Sequence, residues 1–166
     1  MSHPLTPTQT VGPFFHDALL RRDAIATAEA PAPRVRIVGT VRDGAGEGVP
    51  DAVIEAWQGG HFVRVGTAAA GSFEFTTTHP SSIRPDHAMD APHIDLVVLA
   101  RGVLNQLVTR IYFPDQPANE TDPVLMLVPP ARRATLVGSQ AEGVEPTYRF
   151  DIVLQGRDET VFFDVR

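Results

Sequence analysis

The sequence has 166 residues, 43% hydrophobic and 20% charged, a balance that supports one soluble globular domain and excludes a largely disordered chain. A formal charge of −6 with no basic run excludes an electrostatic footprint for nucleic acid or an anionic membrane. The absence of cysteine excludes disulfides, zinc–thiolate sites, Fe–S clusters and thiol nucleophiles, and fits an expected cytoplasmic location.

No basic segment leading into an apolar run opens the chain, and the longest apolar run, Leu96–Ala100, is far too short to span a bilayer. Fifteen prolines and thirteen glycines punctuate short β-patterned runs, which predicts many turns and little helix. Residues 1–33 read as an extended arm interrupted by Pro4, Pro7, Pro13, Pro31 and Pro33, with one stretch, His16–Ala30, suited to a short helix. Strands begin at Arg34, where Val35, Ile37 and Val41 recur at period two and predict one buried face. Asp43–Gly48 predicts a hairpin turn into a return strand, Ala52–Trp57, with Ala52, Ile54 and Ala56 opposite Val53, Glu55 and Trp57. Further strands are predicted at His61–Thr67, after Gly59-Gly60, and at Ser72–Thr76, where Phe73 and Phe75 share a face.

Residues 77–91 read as a loop. His93–Ala100 and Gln106–Phe113 are strong strand signals, parted by a turn at Arg101-Gly102. Residues 114–123 read as loop and Val124–Val128 as a short apolar segment, while Pro130 suits the first turn of a short helix over Ala131–Val137. Thr147–Leu154 alternates Tyr148, Phe150, Ile152 and Leu154 with Arg149, Asp151 and Val153, and Thr160–Val165 predicts a last strand. The expected fold is all-β: an antiparallel β-sandwich over residues 34–166 carrying an extended N-terminal arm and long loops.

Few residues carry recognisable chemistry. No serine sits in a G-x-S-x-G elbow, and Gly44, Gly46 and Gly48 join two strands rather than opening a nucleotide-binding helix. His93 and Asp95 lie two apart on a predicted strand, so they share a face and form half of a two-His-one-carboxylate Fe(II) site. No histidine follows His93, which leaves only His79 or His87 in the loop to complete such a site; the plainer reading is a hydrogen-bonded histidine near a strand end. Tyr112 and Tyr148 read as packed aromatics with satisfied hydroxyls, and Phe14-Phe15 and Phe162-Phe163 as packing anchors. Arg21-Arg22 and Arg132-Arg133 read as solvated surface. Arg101 ends an apolar strand, where an arginine is either a solvated charge or a planar fork for a carboxylate.

Several segments then line up: Thr6-Pro-Thr-Gln-Thr-Val-Gly-Pro-Phe14 on the arm, the glycine-rich Val38–Gln58, Ala91-Pro-His-Ile-Asp-Leu-Val-Val-Leu-Ala-Arg-Gly102, Thr109-Arg-Ile-Tyr-Phe113, Tyr148-Arg-Phe-Asp-Ile-Val-Leu-Gln-Gly156 and Glu159-Thr-Val-Phe-Phe-Asp164. In this order they resemble the intradiol ring-cleavage dioxygenases over nearly the whole chain from Thr6 onward. The resemblance implies a catalytic chain that holds Fe(III) through two tyrosinates and two histidines, and opens a catechol with O2 between its hydroxylated carbons. Here His93 falls on the first paired histidine, but Asp95 stands at the second. Gln58–Gly66 is shorter than the loop that brings one tyrosine, and residues 77–91 contain none. Asp90 stands where catalytic chains carry an arginine, and its negative charge opposes a carboxylated catechol.

The implied role is therefore that of a non-iron α chain with no catalytic residue of its own. Fe(III) is expected on a homologous iron-bearing β subunit, within a higher-order αβ oligomer that takes a small aromatic catechol and O2. The arm, residues 1–33, is expected to pack on the partner. Thr10, Gly12, Pro13, Phe14 and Arg101 are expected to line the partner's pocket, with Arg101 complementing a substrate carboxylate. His93 and Asp95 are left as vestigial metal positions. Two competing expectations remain: a stand-alone Fe(II) enzyme built on His93, Asp95 and a loop histidine, and a non-catalytic, transthyretin-like β-sandwich interaction module, which the glycine-rich hairpin alone also fits.

Overall fold

Strand β1 (Arg34–Arg42) buries Val35, Ile37 and Val41 completely while Arg36, Val38 and Thr40 reach the surface, as a strand with one wet face requires. The computed structural model describes residues 7–20, 33–80, 90–143 and 145–165. Arg21-Arg22, the later part of the predicted arm helix, and His87 with most of its loop lie outside the described residues.

Two sheets form the sandwich. The first has the order β4 (Ser72–Thr78), β1, β8 (Thr147–Arg149) and β7 (Ser139–Ala141), with β9 (Ile152–Val153) also alongside β1. The second has the order β3 (His61–Gly66), β2 (Val53–Gln58), β5 (His93–Leu99) and β6 (Leu107–Tyr112). Val35, Ile37, Phe73, Phe75 and Tyr148 from the first sheet meet Ile54, Val63, Ile94, Leu96, Val98 and Ile111 from the second in one apolar core. The pairing is antiparallel except where β8 and β9 run parallel to β1.

The structure corrects several sequence expectations. The turn after β1 does close locally, with the Asp43 N–H donating to Glu47 O at 2.9 Å and Val49 N–H to Val41 O at 2.9 Å. The chain then crosses to the other sheet, so β2 is not the return strand; β1 pairs instead with β4. Crossing lets the apolar faces of Ile37 and Ile54 meet through the core rather than lie side by side in one sheet. The alternating run 147–154 is divided after Arg149 because the Asp151 carboxylate, not a main-chain carbonyl, accepts the Thr40 N–H at 2.9 Å. Gly39 lies beside this break, where a Cβ would stand 1.9 Å from the Phe150 carbonyl oxygen, so only glycine fits.

Thr160–Val165 forms no strand and contributes a single bridge, Phe163 to Val108. Helix α1 (Pro13–Leu19) starts earlier than expected, since proline is tolerated in a first helical turn. Val124–Val128 is largely helical too: α2 (Pro123–Leu127) is capped by Asp122, whose carboxylate accepts the Leu125 N–H at 2.7 Å. Arg132 and Arg133 are structural rather than free surface charges, donating to Glu159 O at 2.8 Å and Val128 O at 2.9 Å.

Candidate functional site

The outer face of the second sheet carries the first cluster. Antiparallel register sets His93 opposite Tyr112 and Asp95 opposite Arg110. Directly opposed side chains in such a pair touch. The excursion from 114 to 137 folds over this end, and Leu125, Val128 and Leu136 bury Tyr112 against Ala91.

His93 Nδ1 lies 2.7 Å from the Ala91 carbonyl oxygen, which fixes the proton on Nδ1 and leaves Nε2 as a lone pair. That Nε2 is buried without a hydrogen-bond partner among the described residues, 3.5 Å from Asp95 Oδ1. Burial lowers the His93 pKa, with Arg110 adding to the effect, against the raising influence of the Ala91 bond and the carboxylates of Asp95 and Asp90. Arg110 fills the place between the acids: its Nε is 3.1 Å from Asp95 Oδ1, and its Nη1 is 3.8 Å from Asp90 Oδ2. Burial opposes the Arg110 charge, but Tyr112, Asp95 and Asp90 outweigh it and raise the arginine pKa.

Asp122 completes this end. It accepts the Ala91 N–H at 2.7 Å, the Leu125 N–H at 2.7 Å and the Tyr112 hydroxyl at 3.0 Å. Burial pushes the Tyr112 phenol far above its ordinary range, opposed by the Arg110 guanidinium and aided by the Asp122 carboxylate, so this tyrosine is not a phenolate at neutral pH.

These donors do not fit a ferric site of two phenolates and two imidazoles. One imidazole lone pair is present, the nearby phenol is protonated and tied to Asp122, and a guanidinium already neutralises the carboxylates. Nor do the described residues bring three metal donors together. His79, a proposed third ligand for the Fe(II) alternative, packs its ring 4.9 Å from that of Phe113 and places Nδ1 3.0 Å from Pro80 O.

The second cluster lies at the far end of β5. Arg101 follows the strand and forms an ion pair through Nε with Asp51 Oδ2 at 2.7 Å, with its side chain more than half exposed. The next residue, Gly102, has φ 83 and donates its N–H to Thr10 Oγ1 at 2.8 Å. The arm is thereby fixed beside the arginine. Gly12 accepts the Phe15 N–H at 3.1 Å, Pro13 opens α1, and Phe14 is 82% exposed. A cleft of about 670 Å³ opens here, lined by Arg101, Asp43, Val49, Leu104, Leu107 and Leu154 among others.

The structure therefore joins Thr10 to the Arg101 turn and His93 to Asp95, but keeps these two pairs at opposite ends of β5. Sequence reading missed Asp51, Arg110 and Asp122. The Asp-Pro step before α2 was a visible capping signal for Asp122. Arg110 was hidden by register: a two-residue turn at Arg101-Gly102 would set Asp95 opposite Val108, and the longer observed loop shifts the pairing to Arg110.

Among solved structures, the chain is similar to the dioxygenase domain of a carbohydrate-binding fusion protein from Streptomyces sp. SirexAA-E, at 26% identity and TM-score 0.62, covering 80% of this chain and 86% of that one. An intradiol ring-cleavage dioxygenase from Tetranychus urticae shares the fold at 14% identity and TM-score 0.60, covering 76% and 83%. The architecture is thus that of the intradiol dioxygenases. Among curated proteins, the chain is 41% identical to the protocatechuate 3,4-dioxygenase alpha chain of Burkholderia cepacia, over 96% of this chain and 97% of that one. It is 36% identical to the alpha chain of Pseudomonas putida, over 97% and 96%. The beta chain of Burkholderia cepacia is 30% identical over 95% of this chain and 78% of its own length. No model of a known protein family matches the chain. The chain belongs to the protocatechuate 3,4-dioxygenase alpha-chain family.

Proposed function

We propose that this chain is the iron-free α subunit of a protocatechuate 3,4-dioxygenase. With a homologous β subunit that holds Fe(III), it cleaves protocatechuate with O2 between the hydroxylated carbons to 3-carboxy-cis,cis-muconate, in the breakdown of aromatic acids. In this reading the α chain shapes the pocket and the assembly, and contributes no catalytic group.

One observation carries the reading. The arginine suited to a carboxylate and the positions that hold metal in catalytic relatives lie at opposite ends of β5, roughly 26 Å apart at the rise of an extended strand. Arg101 therefore cannot serve a metal at His93 of its own chain, while Arg110 closes that end with a cation of its own. A pocket that uses Arg101 belongs to another chain. The arm supports this, because Thr10 is bonded beside Arg101 and Phe14, four residues further along, is left exposed. Thr10, Gly12, Pro13, Phe14 and Arg101 are accordingly assigned to the lining of the β-chain pocket, with residues 1–33 as the arm that packs on the partner.

Among the described residues no helix is long and apolar enough to cross a membrane. A cytoplasmic location is part of this proposal, in keeping with a cysteine-free sequence.

The test is purification of the chain alone and together with a β chain, measuring iron content, visible absorbance and protocatechuate-dependent oxygen uptake. The expected result is an iron-free, colourless, inactive chain alone and a coloured, active complex. A chain that alone binds iron and consumes oxygen with protocatechuate would overturn the proposal.

A further inference from the structure

We propose that Asp51 is a positioning residue for Arg101, holding the guanidinium so that its outer edge meets the carboxylate of the aromatic substrate. This rests on the assignment of Arg101 to the partner's pocket.

The geometry is specific. Asp51 is the one non-glycine residue among those described with a positive φ, 58°, a conformation that aspartate tolerates better than most residues. It lies in the turn entering β2, directly after Pro50, and its carboxylate meets Arg101 Nε at 2.7 Å. Arginine has five N–H donors in a planar fork. The closest approach is at Nε, and the two terminal nitrogens donate no hydrogen bond to the described residues. One side of the fork is thus held and the other is presented, as bidentate carboxylate recognition requires.

The backbone is held as well. Gly102 donates its N–H to Thr10 Oγ1, so the turn that carries Arg101 is tied to the arm while the side chain is tied to Asp51. Thr10 thus holds the turn and Asp51 the side chain of an arginine that remains 56% exposed. An exposed surface pair adds little to stability, so the arrangement is better explained by orientation than by folding.

Two effects of Asp51 oppose each other, which makes the test decisive. As an orienting group, its removal weakens substrate binding. As a negative charge near a bound carboxylate, its removal strengthens it. Orientation is assigned the larger effect because a long exposed arginine otherwise samples many rotamers.

The experiment uses the active αβ complex and compares Asp51→Asn, Arg101→Gln and the double variant on protocatechuate and on catechol, which lacks the carboxylate. Asparagine also tolerates positive φ, so the turn is kept while the charge is removed. In Asp51→Asn, KM for protocatechuate is expected to rise about tenfold, the size of one misaligned charge-assisted hydrogen bond, with kcat little changed. Its catechol parameters should match wild type, and the double variant should be no worse than Arg101→Gln. Three results overturn the proposal. If Asp51→Asn behaves as wild type or binds protocatechuate more tightly while Arg101→Gln is impaired, positioning fails and the pocket assignment stands. If Arg101→Gln itself binds protocatechuate normally, the pocket assignment fails and the proposal with it. If Asp51→Asn damages both substrates equally, its role is structural.

Discussion

The two ends of strand β5 treat charge in opposite ways. At the His93 end, Asp90, Asp95 and Asp122 are matched by Arg110, the Tyr112 hydroxyl and two backbone N–H groups, under a cover of Leu125, Val128 and Leu136. At the Arg101 end, a single ion pair is set beside an open cleft and an arm whose Phe14 faces outward. One strand thus commits its first end to folding and, in the proposed reading, leaves its last end for recognition. Under the proposed role, a strand related to a metal-bearing one keeps the architecture without the metal because an internal cation and hydrogen bonds satisfy its carboxylates, leaving only the His93 Nε2 without a hydrogen-bond partner at this end among the described residues.

The largest expected effect follows from Asp122. It is fully buried and accepts three hydrogen bonds, so Asp122→Ala leaves the Ala91 and Leu125 N–H groups and the Tyr112 hydroxyl without their acceptor. The expected loss is about 3–5 kcal/mol in urea denaturation, with Asp122→Asn losing less because it keeps one acceptor oxygen. A loss under about 1 kcal/mol would erase the contrast between the two ends.

Arg110 comes next. Its side chain is 20% exposed and that of Asp95 is 31% exposed, so solvent weakens but does not remove their attraction. Arg110→Gln is expected to cost about 1–3 kcal/mol, and much less in an Asp95→Asn background, because the acid then no longer needs a cation. A double-mutant cycle measures that coupling directly. Additive losses would mean that Arg110 acts through packing alone.

How much of this was legible depends on the range of the interaction. Period-two patterning marked β1 and β4 with their buried residues, and strand signals marked β5 and β6, because burial on a pleated sheet is a local property of the chain. The partnership of β2 was not legible: its alternation is the same whether it pairs with β1 or faces it across the core. The break at Asp151 depended on one carboxylate replacing a backbone acceptor 111 residues away in sequence. At the site, the resemblance named Arg101 and Thr10, and the structure brings the arm to the Arg101 turn. Asp51 and Arg110 lie inside segments that carried the resemblance, but no role was attached to either, since each matters through a contact set by register or by a turn rather than by spacing.

The smallest effect separates the two ends by proton uptake. Burial lowers the His93 pKa from the ordinary 6.5, despite the Ala91 bond and the acids Asp95 and Asp90 working the other way. Between the lowered folded value and 6.5 the unfolded chain binds more protons than the folded one, so stability falls as pH drops below 6.5 and levels off above it. The cost is at most about 1.4 kcal/mol per pH unit. The measurement is the difference between wild type and His93→Gln, followed by urea denaturation from pH 5 to 8. The variant should show a flatter acid slope, whatever its stability at pH 8. Arg101→Gln should keep the wild-type slope and lie within about 0.5 kcal/mol of wild type, because arginine does not titrate here and an exposed pair contributes little. Equal slopes in wild type and His93→Gln would mean that the His93 ring gains no net penalty from its cover, and that the closed end of β5 is wetter than its packing implies.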